Sequence, residues 1–184
     1  LIGVNLGNLG FLAEFDLDAF RAQAPALLDT AKLDVRDRML IRASIASAGS
    51  PRGTPPTFGG LAMNDCVITA GPPYRVIEIG LRFDGQLGPD IRGDGVIVST
   101  PTGTTGYCVS AGGPIVSPEV PSLSIAPIAA HSLAFRPIVL PGSSRIELIV
   151  KRSNAGWPGD TRPGTTLVLD GQVHHGLAVG DRVI

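Results

Sequence analysis

Short apolar stretches separated by turn residues constrain this sequence more than any other feature. Between Ile77 and Phe83 apolar side chains alternate with polar or small ones, which is the pattern of a half-buried strand. Asp84-Gly85 follows directly and is a hairpin signal. Comparable stretches predict further strands at 35–47, 61–69, 123–128, 135–140, 145–151, 165–169 and 177–184. Seven or more short strands at this spacing predict a mainly β fold of stacked sheets or a β-sandwich.

The first residues follow a different pattern. Residues 1–12 resemble a strand end and a glycine-punctuated turn, and residues 17–31 have helical periodicity with Asp16 or Asp18 as the cap. We therefore predict two regions: 1–34 as a short α/β remnant, and 35–184 as a β-rich domain. The sequence opens without methionine, inside an apparent strand, so we expect it to be a piece of a longer protein.

Composition excludes several classes of protein. Apolar residues make up 43% and charged residues 17%, which is typical of a globular chain, and the net charge of −1 argues against nucleic acid as a partner. No stretch approaches the roughly 18 apolar residues of a membrane span, and we see no signal peptide. Two cysteines suggest no disulfide framework, so we expect a cytoplasmic protein. His174 and His175 would point to opposite faces of a strand, and no metal site is predicted.

The stretch from Gly93 to Val116, GDGVIVSTPTGTTGYCVSAGGPIV, predicts a small-molecule site. A β-branched run, 96–98, leads into a loop of hydroxyl and glycine residues, and Tyr107 stands at the far end of that loop. Glycines let a ligand approach the backbone, and a helix start offers free N–H groups.

A carboxylate and an amide stand side by side at Asn64-Asp65, inside an apolar run. This pair is either a strand end or part of a site; in a site it suits a ribose diol, whose hydroxyls can donate to the carboxylate. Asp94 offers the same chemistry, and Arg75 and Arg92 could bind phosphates. These residues favour a nucleotide or sugar-like ligand.

Five motifs, in order, resemble the NAD kinase family. They are GVNLGNLGFL at 3–12, Asn64-Asp65, DGVIVSTPTGTTGYCVSAGGPI at 94–115, HSLAFRPIVLP at 131–141 and DGQ at 170–172. The resemblance covers nearly the whole chain. It implies the stacked-sheet C-terminal domain of that family, preceded by the end of an α/β nucleotide domain.

The resemblance also implies a reaction, the transfer of a terminal phosphoryl group to the 2′-hydroxyl of the adenosine ribose of NAD to give NADP. The donor would be ATP, or polyphosphate as in some bacterial members, with a divalent cation such as Mg²⁺. The protein would be a homodimer or homotetramer.

Carried over by position, the resemblance assigns a set of residues to NAD binding. Asn64 and Asp65 would bind the adenosine ribose region, Tyr107 would stack, and Asp94 would reach the nicotinamide side across a subunit boundary. The full set is Asn64, Asp65, Arg75, Arg92, Asp94, Thr102, Thr105, Gly106, Tyr107, Cys108, Val109, Ser110 and Gln172.

Two departures from the family pattern stand out. Thr104-Thr105-Gly106-Tyr107 replaces the usual Ser-Thr-Ala-Tyr, and Gly106 thereby lacks a methyl group. The family's Gly-Gly-Asp-Gly motif, with the candidate general base, is expected upstream of Leu1, so we place no catalytic residue in these 184 residues and predict them to be inactive alone. The alternatives are a lipid kinase of the diacylglycerol or sphingosine type and a non-catalytic dinucleotide sensor.

Overall fold

The computed structural model describes residues 2–6, 15–29, 33, 35–51, 53–131, 135–159, 161 and 163–184. Strands make up 41% and helices 12%, so the predicted mainly β class is confirmed. The chain divides into two compact units, Leu1–Arg38 and Met39–Ile184. The sequence pattern alone had suggested a division after residue 34.

The first unit is small. Strand β1, Val4–Asn5, pairs in parallel with β2, Phe15–Asp16, and helix α1 runs over Leu17–Leu27. The Asp16 carboxylate accepts a 2.7 Å hydrogen bond from the Ala19 N–H and caps the helix, which confirms one of the two predicted caps. The glycine turn predicted between Gly7 and Gly10 lies outside the described residues.

The second unit contains two six-stranded sheets in which every pairing is antiparallel. The first sheet has the order β10-β9-β8-β5-β12-β13, and the second has the order β4-β3-β14-β11-β6-β7. The strands are β3 Ile41–Ala46, β4 Phe58–Ala62, β5 Asp65–Thr69, β6 Ile77–Phe83, β7 Gln86–Gly93, β8 Gly95–Ser99, β9 Ser122–Ile128, β10 Ile138–Pro141, β11 Ile146–Arg152, β12 Thr166–Leu169, β13 Val173–Gly176 and β14 Arg182–Val183.

One continuous apolar core joins the facing sides of the two sheets. Ile68, Ile125 and Leu167 enter it from the first sheet, and Ile79 and Leu148 enter it from the second; each is at most 2% exposed. The outer face of the first sheet carries a smaller cluster built on Val67, Ile97, Cys108 and Ala126. The stacked-sheet architecture predicted from the strand spacing is therefore present.

The Asp-Gly pairs at 84–85 and 170–171 both lie in turns between paired antiparallel strands. Asp84 and Gly85 form a two-residue loop with φ of 48° and 85°, and Phe83 pairs with Gln86 across it. Positive φ at both positions is the geometry that Asp-Gly favours. Asp170 and Gly171 open a three-residue loop between β12 and β13.

Several predicted boundaries were wrong. Helix α1, predicted over 17–31, ends at Leu27, and the strand predicted over 35–47 begins only at Ile41. The run 61–69 is not one strand: β4 belongs to the second sheet and β5 to the first, with Met63-Asn64 as the corner between them. Strand β4 begins at Phe58, three residues before the start of the predicted strand 61–69. Within 177–184 only Arg182–Val183 is a strand, and Val173–Gly176 is a strand that was not predicted. An apolar run does not reveal where a chain changes sheets, because both sheets bury their apolar side chains in the same core.

Candidate functional site

The corner at Met63-Asn64 lies beside the glycine-rich loop because of the register between two strands. Asp65, the first residue of β5, pairs with Ser99, the last residue of β8. In an antiparallel pair this brings the residues before Asp65 next to those after Ser99. Two predicted motifs that are distant in the sequence, Asn64-Asp65 and the glycine-rich loop, therefore meet at one end of the sheet.

Hydrogen bonds fix the loop to the corner. The Thr100 N–H donates to the Asn64 carbonyl at 2.9 Å, and the Thr100 hydroxyl donates to the Met63 carbonyl at 2.6 Å. The Ser99 hydroxyl lies 3.2 Å from the same Asn64 oxygen. A 3₁₀ helix, Thr102–Thr105, and a short helix α2, Tyr107–Ser110, follow. The predicted strand, loop and helix start are all present.

Asp170 holds the corner from the other side. Its carboxylate accepts hydrogen bonds from the backbone N–H groups of Met63 at 2.7 Å, Asn64 at 2.7 Å and Asp65 at 3.1 Å. Its own N–H donates to the Asp65 carbonyl at 3.0 Å. This role of Asp170 is not evident from the sequence, because Asp-Gly is also a common turn pair. Gln172, which was predicted as a site residue, is an exposed residue in the same loop.

The Asp65 side chain is buried and has spare acceptor capacity. The residue is 8% exposed, and within the described part of the chain its carboxylate receives no hydrogen bond. Burial raises the pKa of the Asp65 carboxyl, and the negative charge of Asp170 raises it further. Both oxygens still reach solvent, because neither is a fully buried atom without a partner. The rest of the side chain is shielded from water and no described group of the protein donates to it, so a ligand that brings hydroxyl or N–H donors would be favoured at this position.

Helix α2 presents an aromatic face beside the corner and buries its other side. Tyr107 is 46% exposed, whereas Cys108 is fully buried against the outer face of the first sheet. Thr105, Gly106 and Ser110 are exposed, and the Ser110 hydroxyl donates to the Gly106 carbonyl at 3.3 Å. The Cys108 side chain therefore packs in the core and does not line a surface.

Two other predicted residues are partly shielded. Thr102 is 6% exposed within the 3₁₀ helix, and Val109 is half-buried on α2. Their contribution to a ligand surface is smaller than that of the exposed side chains of the loop.

The remaining predicted residues lie at the opposite end of the sheet. Thr69 pairs with Gly95, so Asp94 and the segment carrying Arg75 are separated from Asp65 by the length of β5, about 13 Å. Arg92 is on β7, and its Nε is 2.9 Å from Glu78 Oε2. The structure therefore brings Asn64, Asp65, the 102–110 segment and Gln172 together but leaves Arg75, Arg92 and Asp94 as a separate group.

Asn154 fixes the backbone beside Arg75. Its side-chain amide donates to the carbonyl groups of Ala70 at 3.0 Å, Gly71 at 3.3 Å and Arg75 at 2.8 Å. Asn154 is 7% exposed, and its own N–H donates to the Thr165 hydroxyl at 2.7 Å. No role was predicted for Asn154 from the sequence.

The described residues contain neither a candidate metal site nor a membrane-spanning helix. No group of three or more His, Cys, Asp and Glu side chains there could hold a metal ion. None of the helices described is long and apolar enough to cross a membrane.

Comparison with known proteins places this geometry in a family. The family model of the ATP-NAD kinase C-terminal domain matches residues 63–184, which include the corner, the glycine-rich loop and Asp170. The NAD kinase of Thiobacillus denitrificans is 38% identical over 183 residues, covering 100% of this chain and 58% of the relative. That of Geobacter metallireducens is 38% identical over 181 residues, covering 98% and 59%. The chain thus spans somewhat over half the length of these relatives.

Solved structures agree with the sequence comparisons. Yeast NADH kinase complexed with NADH superposes with a TM-score of 0.84 and 31% identity, over 98% of this chain and 48% of that one. An NAD kinase from Archaeoglobus fulgidus in complex with ATP gives a TM-score of 0.72 and 26% identity, over 99% and 63%. Since the family model covers most of the second unit, and the relatives align over essentially the whole chain, this chain belongs to the NAD kinase family and contains its C-terminal domain.

Proposed function

We propose that this chain is the NAD-binding portion of an NAD kinase. The whole enzyme would transfer the terminal phosphoryl group of ATP, or of polyphosphate, to the 2′-hydroxyl of the adenosine ribose of NAD, giving NADP. Relatives named NAD kinase and the NADH and ATP complexes of two structural neighbours support this assignment. The lipid kinase and the non-catalytic sensor are not favoured by these comparisons.

The observation that carries the proposal is the unpartnered carboxylate of Asp65. It is buried at the meeting point of two strand ends, and the described residues give it no hydrogen-bond donor. A ribose supplies two adjacent hydroxyl donors, which match the two oxygens of a carboxylate. Asn64, whose backbone is held on both sides, would add an amide to the same sugar.

The exposed surface of α2 and its loop would complete the adenosine pocket. Tyr107 offers a half-exposed ring on which a base can stack, and Thr105 and Ser110 offer hydroxyl groups nearby. At Gly106 a Cβ would lie 3.4 Å from the Gly103 carbonyl, an ordinary contact. The methyl group of the alanine usual in the family would therefore meet no close neighbour at this position.

The separate group at the other end of the sheet suggests a second role. Because Asp94 and Arg92 are exposed and Asp94 lies beyond the far end of β5 from Asp65, they are available to serve a pocket on a neighbouring copy. We therefore include a homodimer or homotetramer in the proposal. A cytoplasmic location is proposed separately, from the two cysteines without a disulfide framework. Light scattering on the full-length protein tests the assembly, and a monomer that binds NAD fully would contradict it.

The donor and its cation would bind largely outside the corner described above. We assign Mg²⁺ to the phosphates of the donor, where this ion commonly binds while retaining several waters. Phosphoryl transfer depends mainly on positioning and on stabilisation of charge, so the contribution of this chain is to hold the acceptor ribose in place.

Residues 1–184 alone are expected to bind NAD without transferring phosphate. Their sequence contains no Gly-Gly-Asp-Gly, the motif to which the family resemblance assigns the general base. An assay of the 184-residue chain with NAD and ATP checks this, and turnover equal to that of the full-length protein would contradict it.

The function itself is tested with the full-length protein, NAD or NADH, and ATP or polyphosphate, by measuring NADP or NADPH formed. Tyr107→Leu is compared with Tyr107→Phe, since only the phenylalanine retains the aromatic face. Loss of base stacking should raise the KM for NAD about tenfold in the leucine variant. Absence of NADP formation in the wild-type protein, with every combination of substrates, would contradict the proposal.

A further inference from the structure

Asp170 lies in a turn of the first sheet. Its carboxylate accepts hydrogen bonds from the backbone of Met63, Asn64 and Asp65, where β5 begins. Strand β12 pairs with β5, with Leu169 opposite Cys66, so the residue after Leu169 arrives beside Asp65. Asp170 has a φ of +50°, which aspartate tolerates better than most residues. This conformation turns the carboxylate toward the corner.

The bonding pattern requires a carboxylate. Oδ1 accepts the N–H groups of Asn64 and Asp65, and Oδ2 accepts that of Met63. Three donors converge on two acceptor oxygens. An asparagine offers one oxygen and an NH₂ group, which would face an N–H donor.

The carbonyl groups of the same corner are satisfied from the opposite side. The Thr100 hydroxyl donates a hydrogen bond to the Met63 carbonyl, and the Thr100 N–H donates one to the Asn64 carbonyl. The Asn64 backbone is therefore bonded on both sides, which leaves its side chain and that of Asp65 free for a ligand.

We propose that Asp170 is a positioning residue for dinucleotide binding: it holds the Met63–Asp65 backbone so that the Asn64 and Asp65 side chains meet the ribose of NAD. The inference rests on the proposed function but adds a residue to it, since Asp170 acts through the backbone and touches no ligand.

A matched control exists in the second sheet. Asp84 likewise begins an Asp-Gly turn with a positive φ of 48°, and its carboxylate accepts the Arg145 N–H at 2.7 Å. Asp84→Asn therefore removes the same charge and the same kind of bond without altering the corner.

The test is calorimetric titration of NAD into full-length wild-type, Asp170→Asn, Asp84→Asn and Asp65→Ala proteins. Asp170→Asn should weaken NAD binding by about tenfold or more, because bonds to a charged acceptor are lost, whereas Asp84→Asn should bind as the wild type does. Both variants should lose thermal stability, so stability alone cannot explain a selective loss of affinity.

A pH series adds a readout that a purely structural role would not change. The titratable groups coupled to Asp65 in the described residues are Asp170, Cys66 and Cys108. Removing the Asp170 charge lowers the pKa of Asp65, so the acid limb of NAD affinity should move to lower pH in Asp170→Asn. If the acid limb of NAD affinity lies at the same pH in wild type and in Asp170→Asn, the inference is contradicted.

The outcomes separate the two claims. Wild-type affinity in Asp170→Asn, combined with weak binding by Asp65→Ala, overturns the role of Asp170 and leaves the proposed function intact. A wild-type protein that does not bind NAD contradicts the proposed function itself. If Asp170→Asn does not fold, Asp170→Glu replaces it: both oxygens remain but the added methylene displaces the corner, and wild-type affinity would overturn the inference.

Discussion

Gly103 packs directly against the backbone of Asn64. A Cβ on Gly103 would lie 2.6 Å from the Asn64 Cα and closer still to the Asn64 carbonyl oxygen. Backbone atoms on both sides cannot move apart without breaking the bonds that Thr100 makes to the corner. The close approach of the 3₁₀ helix to the corner is therefore a requirement of this site.

The first prediction follows from that contact. Gly103→Ala should lower the free energy of unfolding by about 1–3 kcal/mol, as overpacking does, and should weaken NAD binding because the corner is displaced. Thermal denaturation and calorimetry check both effects. Gly59→Ala is the control, since a Cβ there meets nothing closer than the Ala43 carbonyl at 3.9 Å. Equal stability and affinity in the two variants would contradict the steric argument.

The second prediction concerns the free energy of unfolding that the shielded Asp65 carboxylate costs the protein. Its pKa is raised by burial and by Asp170, so the folded state binds a proton more tightly than the unfolded chain, whose value is near 3.8. Stability then falls as pH rises from the unfolded pKa through the raised folded pKa, and the loss is complete above that folded pKa. Asp65→Asn should therefore melt at a higher temperature than wild type at pH 7 while binding NAD more weakly.

The control for that variant is Glu119→Gln, which removes one negative charge from an exposed loop residue. Melting curves from pH 3 to pH 8 should converge for wild type and Asp65→Asn at the acid end only. A lower melting temperature for Asp65→Asn at pH 7 would show that the carboxylate is stabilised by a partner in the free protein.

The third prediction concerns the loop that carries Arg75. Asn154→Ala removes a buried amide that three carbonyl groups share. The carbonyl groups of Ala70 and Gly71 keep the Thr165 hydroxyl and the Tyr74 N–H as donors, so the Arg75 carbonyl is the one that loses its described donor. The loss should be about 1–2 kcal/mol, as expected when the hydrogen bonds of a buried amide are removed. Denaturant unfolding measures it, and a change below half the lower figure would mean that water replaces the amide.

The fourth prediction concerns the two thiols. Burial, with the charges of Asp65 and Asp170, raises the pKa of Cys66 to about 12, and burial with Asp65 raises that of Cys108. Neither thiol should react with iodoacetamide at pH 8 in the folded protein, because the thiolate is the nucleophile. Peptide mass mapping checks this, with denatured protein as the positive control. Rapid labelling of Cys108 in the native state would indicate that α2 opens.

Much of the fold follows from local pattern. The alternation from Ile77 to Phe83 and the Asp84-Gly85 pair predicted a hairpin, and both strands and turn are present. Helix α1 was predicted with its cap at Asp16 or Asp18, and Asp16 is the cap. Such features depend on residues within a few positions of one another, so they can be predicted from the sequence alone.

The corner at Met63-Asn64 could not be predicted in the same way. Leu61 to Thr69 is one apolar run, and only the distant partners reveal that the two halves belong to different sheets. The role of Asp170 likewise depends on the pairing of β12 with β5, about a hundred residues apart in the chain. The candidate site was therefore predicted as residues and motifs, whereas its geometry came from long-range strand pairing.

The measurement that tests the central claim most directly is titration of NAD into full-length wild-type and Asp65→Ala proteins at pH 7. The carboxylate is the proposed ribose acceptor, so the alanine variant should bind NAD at least about tenfold more weakly, as expected for loss of hydrogen bonds to a charged group. Equal affinity in the two proteins would contradict the assignment of this corner to the ribose of NAD.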